Sequence, residues 1–596
     1  MDPHANRGDR RAILIAFALL LLIAPVTFQI AIARIPTEVF FGFGAGVPAM
    51  VPLVVLLALT GLMGVGLLRR AGLTRRELLI IYTVLLVGVP LGTRGILFYT
   101  LPKVPLYHYM LTLHPEWERS FGQHIPSWWG PTDAGVLESF LYGGSRVQWS
   151  AWAVPLLAWG SFMLCLVASV SCISILFRRQ WVTNERLTFP VAQIPLEMLR
   201  DSEGSSQAGR LTTRRVFWLG AGISFLITFV HSLSARVAAI PYIPLVFVLM
   251  PERISGPLVG LGEIRLALPP FIIALLYLLP KEILFSAWCL WLAHLWVNVL
   301  TIAAGFNAQQ GAVQQRLLPA EYQGLGAAFA LTFWVFWIGR RHLLAVVRSA
   351  FARHQRGEEK AEAGAYRWAL LGFLVSFGWM VCFCWLSGCR FLVAFVFIAL
   401  IVGYFVFWAR LRAETGLGFL SYPMDISFAM MGPVGAGFYR PREIVTFITM
   451  RWATFVGGGE TLELCSGNVL ESYKIADSAG INWRRITAIL GAGFVLALAA
   501  GIFVTMTGLH QHGYFETDAG RGFFWPSLYS RLDGGVIDGA LVNPGPAHGS
   551  SSVIAIVFGA GVALLLGVMR LRFWWWPLHP VGYLLTTSYG MVFMLF

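Results

Sequence analysis

Residues 391–409 read FLVAFVFIALIVGYFVFWA, nineteen consecutive positions without a charged side chain, and Arg410, Arg412 and Glu414 follow at once. At about 1.5 Å of rise per residue, such a run spans roughly the hydrocarbon thickness of a bilayer. A helix satisfies all its backbone N–H and C=O groups internally, which is the condition for residing there. The stretch reads as a membrane-spanning helix whose charged end reaches the interface. Working outward, similar apolar runs occupy 12–34, 47–68, 77–98, 150–177, 216–236, 266–280, 283–304, 325–339, 367–388, 486–508, 551–569 and 578–596. Two weaker segments, 416–437 and 443–458, are interrupted by Gly, Pro and polar residues and read as broken helices or a re-entrant pair. The expected fold is all-α: a polytopic transmembrane helix bundle of about 14–16 spans.

Composition excludes the competing classes. Of 596 residues, 57% are hydrophobic and 12% charged, against about 25% charged in soluble domains. That is too little charge to coat soluble domains, so a soluble enzyme, a disordered chain and a nucleic-acid-binding module are all excluded. The net charge of +14 is explained by placement. With the N-terminus inside and the spans alternating, most of the Lys and Arg fall on inner segments. Arg7, Arg10 and Arg11, then Arg69, Arg70, Arg75 and Arg76, then Arg178, Arg179 and Arg186 lie there, with a further run from Arg340 to Arg367. The positive-inside rule thus places the N-terminus in the cytoplasm. The first run is long for a cleaved signal, which favours a retained span. The last apolar run stops at Phe596 without a polar tail, as a helix cut short would.

The charged stretch 353–366 is the expected cytoplasmic linker, exposed and mobile, between a first membrane half, 1–352, and a second, 367–596. The stretches 99–149 and 509–550 are expected to pack over the outer face, because both are rich in aromatic residues. The seven Cys are scattered and give no disulfide framework. Cys382, Cys384 and Cys389 fit no zinc pattern, and the His510-x-His512 pair, which could bind a metal, has no fixed ligand geometry beside it, so no metal and no cofactor is expected.

Polar groups within or beside apolar spans are the functional candidates. In 181–197, WVTNERLTFPVAQIPLE, Pro190 and Pro195 bend the chain; Glu185, Thr188 and Gln193 either line an inner vestibule or cap a lateral helix. In 412–425, RAETGLGFLSYPMD, Glu414 and Asp425 flank helix breakers. They are candidates for ion coupling, with Ser421 and Tyr422 as substrate contacts; the alternative is a solvated inner loop. In 457–474, GGGETLELCSGNVLESYK, the triple Gly lacks a phosphate-loop ending, and Ser466, Gly467 and Asn468 suit helix contact or a polar path. In 307–316, NAQQGAVQQR, the amides of Asn307, Gln309 and Gln310 offer donors and acceptors to a peptide-like solute, unless the segment is an interfacial helix. Arg94 either snorkels outward or meets a substrate carboxylate, and His231 reads as a hydrogen-bonded packing residue.

Two of these segments carry a resemblance. Residues 185–190, ERLTFP, followed by Ala192 and Glu197, are similar to a Pro-containing segment of the oligopeptide transporter superfamily. Residues 466–474, SGNVLESYK, resemble that superfamily's small-Gly-Asp/Asn-x-x-Gln-Asp-Leu-Lys-Thr-Gly motif. Asn468 and Lys474 match, whereas Glu471-Ser472 and Ile475-Ala476 depart from it. As a whole the chain resembles uncharacterised bacterial membrane proteins distantly related to that superfamily. The resemblance implies two related halves of about sixteen helices and cation-coupled uptake of peptides or metal chelates. The expected protein is therefore a symporter of the bacterial inner membrane, not an enzyme. Its partners would be a small-molecule substrate, a coupling cation and membrane lipid, with a homo-oligomer possible. Asn307, Gln309, Gln310, Ser421, Tyr422 and Asn468 would bind substrate, Glu414 and Asp425 would couple the ion, and Glu185 and Lys474 would gate. The alternative is a membrane-embedded transferase acting on a lipid-linked substrate. It would draw acid–base groups from Glu116, Asp133, Glu138, Glu516, Asp518 and the outer histidines.

Overall fold

The computed structural model describes residues 3–32, 46–64, 72–92, 94–200, 215–234, 276–305, 318–351, 357–416, 426–453, 458–517, 525–542, 544 and 549–587, with parts of 237–273 and 309–314. The chain is an all-α polytopic bundle. Helices α1 (Pro3–Ile32) and α2 (Gly46–Gly64) precede a long passage through α3 (Arg75–Gly92), α4 (Arg94–Thr100) and α5 (Lys103–Leu113). Short α6 (Pro115–Ser120) and α7 (Ala134–Tyr142) lead to α8 (Trp149–Arg178), which runs into a π-helical turn at Arg179–Asn184. Next come α9 (Pro190–Arg200), α10 (Arg215–Ser234), the hairpin β1 (Val246–Met250) and β2 (Ile264–Ala267), and α11 (Lys281–Ala303). A second hairpin, β3 (Gln309–Gln310) and β4 (Val313–Gln314), precedes α12 (Ala320–Phe351), α13 (Gly357–Leu386) and α14 (Phe391–Thr415). Then follow α15 (Ile426–Val434), α16 (Pro441–Thr449), a 3-10 turn at Met450–Ala453, and α17 (Gly458–Ser478). The chain continues through α18 (Trp483–His512), α19 (Trp525–Val542), α20 (Gly549–Arg572) and α21 (Pro580–Thr586).

Among the described residues, nine stretches are long and apolar enough to cross a bilayer. The apolar run 391–409 lies in α14, which extends from Phe391 to Thr415. The two weak segments are broken helices: Pro433 and the positive φ of Gly435 stop α15, and the passage from α16 to α17 tightens into the 3-10 turn. Two expectations and one alternative need correction. Of 266–280, Leu266 and Ala267 belong to strand β2, Ile273 and Leu276 are helical, and the chain turns from Tyr277 to Pro280; Pro269, Pro270 and Pro280 oppose one helix through the whole stretch. From Gly357 onward the charged linker is the opening of α13. Ala363 and Tyr366 are buried there, and Glu362 meets Arg178 and Arg179; its Glu, Lys and Ala are strong helix formers, and this local preference prevailed. The amide-rich segment forms the β3–β4 hairpin instead of an interfacial helix.

Contacts order the helices by their ends. Asp9 of α1 binds Arg76 of α3 and Arg485 of α18, and Arg178 of α8 lies over Trp483 at the start of α18. Glu282 of α11 meets Arg570 of α20, and Arg367 of α13 reaches Ala350 O of α12. One end of the bundle thus gathers the arginines and is called here the basic end. At the far end, His510 of α18 meets Ser139 of α7, and Trp128 packs on Phe383. The aromatic segment 99–149 does pack down as expected: Trp129 is buried, and its carbonyl accepts from Trp159 Nε1.

Glycines set two close crossings. A Cβ on Gly326 of α12 would meet Ile556 O of α20 at 1.9 Å, and one on Gly559 would meet Gln323 O at 2.0 Å. Backbone therefore lies on backbone, the contact that small residues permit between membrane helices. Pro90 poses a different problem in α3: it has no N–H, so the carbonyl of Leu86 loses its helical donor. Asn468 Nδ2 of α17 supplies the missing hydrogen bond.

Candidate functional site

The end of α14 organises the first group. Gly416, at φ 78°, closes the helix by donating its N–H to Arg412 O. The next free carbonyls are taken by the loop after the π turn: Phe189 N donates to Ala413 O and Thr188 Oγ1 to Glu414 O. Arg186 and Phe189 hold φ values of 50° and 45° to make this fit, a conformation costly for side-chain-bearing residues. The loop thereby sets Glu185 beside Arg410, which also contacts Glu414 at 3.4 Å and lies over Trp181. Two residues called from separate motifs, Glu185 and Glu414, thus share one guanidinium. With Arg570 and His579 they line a cleft of about 220 Å³ whose walls are apolar.

His579 Nδ1 accepts from Val581 N–H at the start of α21, so the ring proton sits on Nε2. With Nδ1 accepting, the ring is neutral, and its 3.8 Å approach to Glu414 is not an ion pair.

The loop gives a direct test. A Cβ on Gly416 would meet Pro190 at 2.8 Å, whereas one on Gly480 (φ 63°) meets nothing within 4 Å. Both Ala variants impose the left-handed cost of about 1–2 kcal/mol, and only Gly416→Ala adds the clash. Thermal unfolding in detergent is expected to fall further for Gly416→Ala than for Gly480→Ala; equal losses would mean that the loop does not brace α14.

Arg412 lies two residues on from Arg410 and, at about 100° per residue, projects from the other side of α14. It makes a bidentate pair with Glu471 of α17, at 2.8 and 3.1 Å, with both side chains buried. Gly467 makes room for it, since a Cβ there would stand 2.1 Å from Arg412 Cδ. One turn before Glu471, Asn468 is fully buried; its Oδ1 has no hydrogen-bond partner among the described residues.

A third group sits where α16 gives way to the 3-10 turn. Arg451 and Lys103 of α5 converge on Asp533 of α19, which is completely buried. Tyr107 lies near this carboxylate, with Thr449 beside the tyrosine. Nearer the far end, Glu443 of α16 binds the side chain of Arg390 and the backbone N–H groups of Arg390 and Arg440. Buried acidic and basic residues therefore follow the broken α16–α17 passage through the bundle.

Of the other sequence candidates, Lys474 lies half-buried on α17, outside the cleft lining. Gln309 and Gln310 form strand β3. Asn307, Ser421, Tyr422 and Asp425 fall outside the described residues. At the far end, Asp133 caps α7 by accepting from Val136 N, His510 is buried against Ser139, and His114 pairs with Glu116 in the open. Sequence reasoning missed Lys103, Arg451 and Asp533. The signal for Arg451 was a charge in the middle of a weak span, whereas Asp533 lay in a stretch read only as an outer cover.

No curated protein matches the chain. Residues 3–596 match the model of DUF6785, a family of unknown function, and the chain belongs to that family.

Proposed function

We propose that this protein is a secondary transporter of the bacterial inner membrane, with its N-terminus in the cytoplasm, that couples a cation gradient to movement of a peptide-like or metal-chelate solute. One observation carries the reading: buried charges line a helix passage that is itself broken, α16 to α17. Charges inside a membrane are costly and are retained where they meet a substrate, an ion or one another. Interrupted helices supply the unsatisfied backbone groups and hinges on which alternating access depends. Glu471 and Asp533 are better placed for coupling than Glu414, whose side chain is 39% exposed, because both are buried inside the bundle, where a charge is retained for a partner or an ion. Asn468 Oδ1 offers an acceptor along the same passage. The arginines at the basic end support the cytoplasmic assignment through the positive-inside rule, and the resemblance of 466–474 to the oligopeptide transporter motif supports the solute class.

The test is uptake into proteoliposomes with an imposed proton or sodium gradient and an internal pH dye. Tripeptides, free amino acids and ferric citrate are the probes. Gradient-dependent accumulation of one class is expected. Absence of movement for all three, with folded protein in the vesicles and under both gradients, overturns the reading.

A further inference from the structure

The cleft at the basic end has the amphipathic form of a lipid site. Beyond the tight crossing at Gly326 and Gly559, it opens between 331–338 of α12 and 563–571 of α20, and α14 closes the back. Its walls are apolar, and they continue onto exposed apolar surface at Ile338, 51% exposed, and Leu571, 75% exposed. Such surface belongs against acyl chains. Arg340 stacks on Trp337 at 4.1 Å beside it, the aromatic and basic pairing typical of the membrane interface.

The polar floor is charged unevenly. Glu185 and Glu414 share Arg410, while His579, whose Nδ1 accepts a hydrogen bond, is neutral, so two carboxylates meet one guanidinium there. Arg570, on the rim, is 40% exposed and spends one Nη on Glu282; a guanidinium has five N–H donors, which leaves others for an anion. An ammonium and a phosphate, a few bonds apart, match this floor and rim. The volume suits a headgroup more than a whole lipid, so the chains must leave along α12 and α20.

We propose that this cleft binds an amine-bearing phospholipid, its ammonium on Glu414 and Glu185, its phosphate toward Arg570, and its acyl chains on the exposed faces of α12 and α20. The site rests on the membrane location alone and stands or falls independently of transport.

Native mass spectrometry of the full chain in detergent, titrated with phosphatidylethanolamine or phosphatidylglycerol, tests it. The amine lipid is expected to bind the parent about tenfold more tightly. Glu414→Gln should abolish that preference. Gly567→Leu should fill the apolar wall and lower occupancy by both lipids; a Cβ at Gly567 meets nothing within 4 Å, so this variant is expected to fold, as its melting temperature checks, and it decides the matter even if Glu414→Gln does not fold. Equal binding of the two lipids by the parent overturns the proposal. So does a preference that survives Glu414→Gln, or amine-lipid binding that is unchanged in Gly567→Leu.

Discussion

Asp533→Asn is expected to cost about 3–5 kcal/mol of stability, the loss typical of breaking a buried ion pair by removing one partner. The carboxylate has no exposed surface, and Lys103 and Arg451 both bind it while only 7% exposed themselves. Asparagine keeps the shape and loses the charge, so two cations face each other without the group that neutralised them. The three residues also join α5, the 3-10 turn and α19, so the loss should spread across the far half of the bundle. Lys103→Met is expected to be much milder, because Arg451 keeps its carboxylate and methionine fills the lysine's volume with apolar atoms. Thermal and denaturant unfolding in one detergent would measure both. Losses of equal size in the two variants would show that Asp533 is not the keystone of the group.

That group also shows where the sequence stopped being legible. Span positions follow from a property each segment carries alone, its apolar length, and α14 or α18 can be read without knowing any neighbour. The breaks in α15 and α16–α17 are local as well, written in Pro433, Gly435 and the polar residues around Arg451. A buried charge is different, because its meaning depends on its partner. Asp533 and Lys103 are far apart in sequence, and nothing in the residues around either names the other. Glu185 and Glu414 were found because each sits beside a helix breaker, yet their sharing of Arg410 depends on a loop with two positive φ angles. Local preference won where it was strong, as in the Ala- and Glu-rich start of α13, and apolar content misled at the start of 266–280, which belongs to strand β2. Asn468 is an intermediate case. Its place in a small-polar cluster was visible, but its task, serving the carbonyl that Pro90 strands in α3, joins residues 86 and 468.

The pair Arg412–Glu471 separates a structural role from a functional one. Glu471→Gln is expected to lose about 3–5 kcal/mol, because Arg412 is only 5% exposed and the loss leaves its charge uncompensated in the bundle. Replacing both partners with apolar residues of similar volume, Arg412→Met with Glu471→Leu, removes the charges together. Such exchanges are often neutral or stabilising, since neither ion then pays desolvation. The double variant should therefore recover most of the melting temperature lost by Glu471→Gln. Gly467→Ala reaches the same pair by another route: its methyl would occupy the path of the Arg412 side chain, so it should approach the loss seen in Glu471→Gln without altering any charge. If the double variant folds as well as the parent and keeps full gradient-driven uptake, Glu471 has no part in the proposed coupling, which then rests on Asp533 alone. If it folds but loses uptake, the pair was kept in a low-dielectric bundle, where an apolar pair would serve stability as well, because its charges are used.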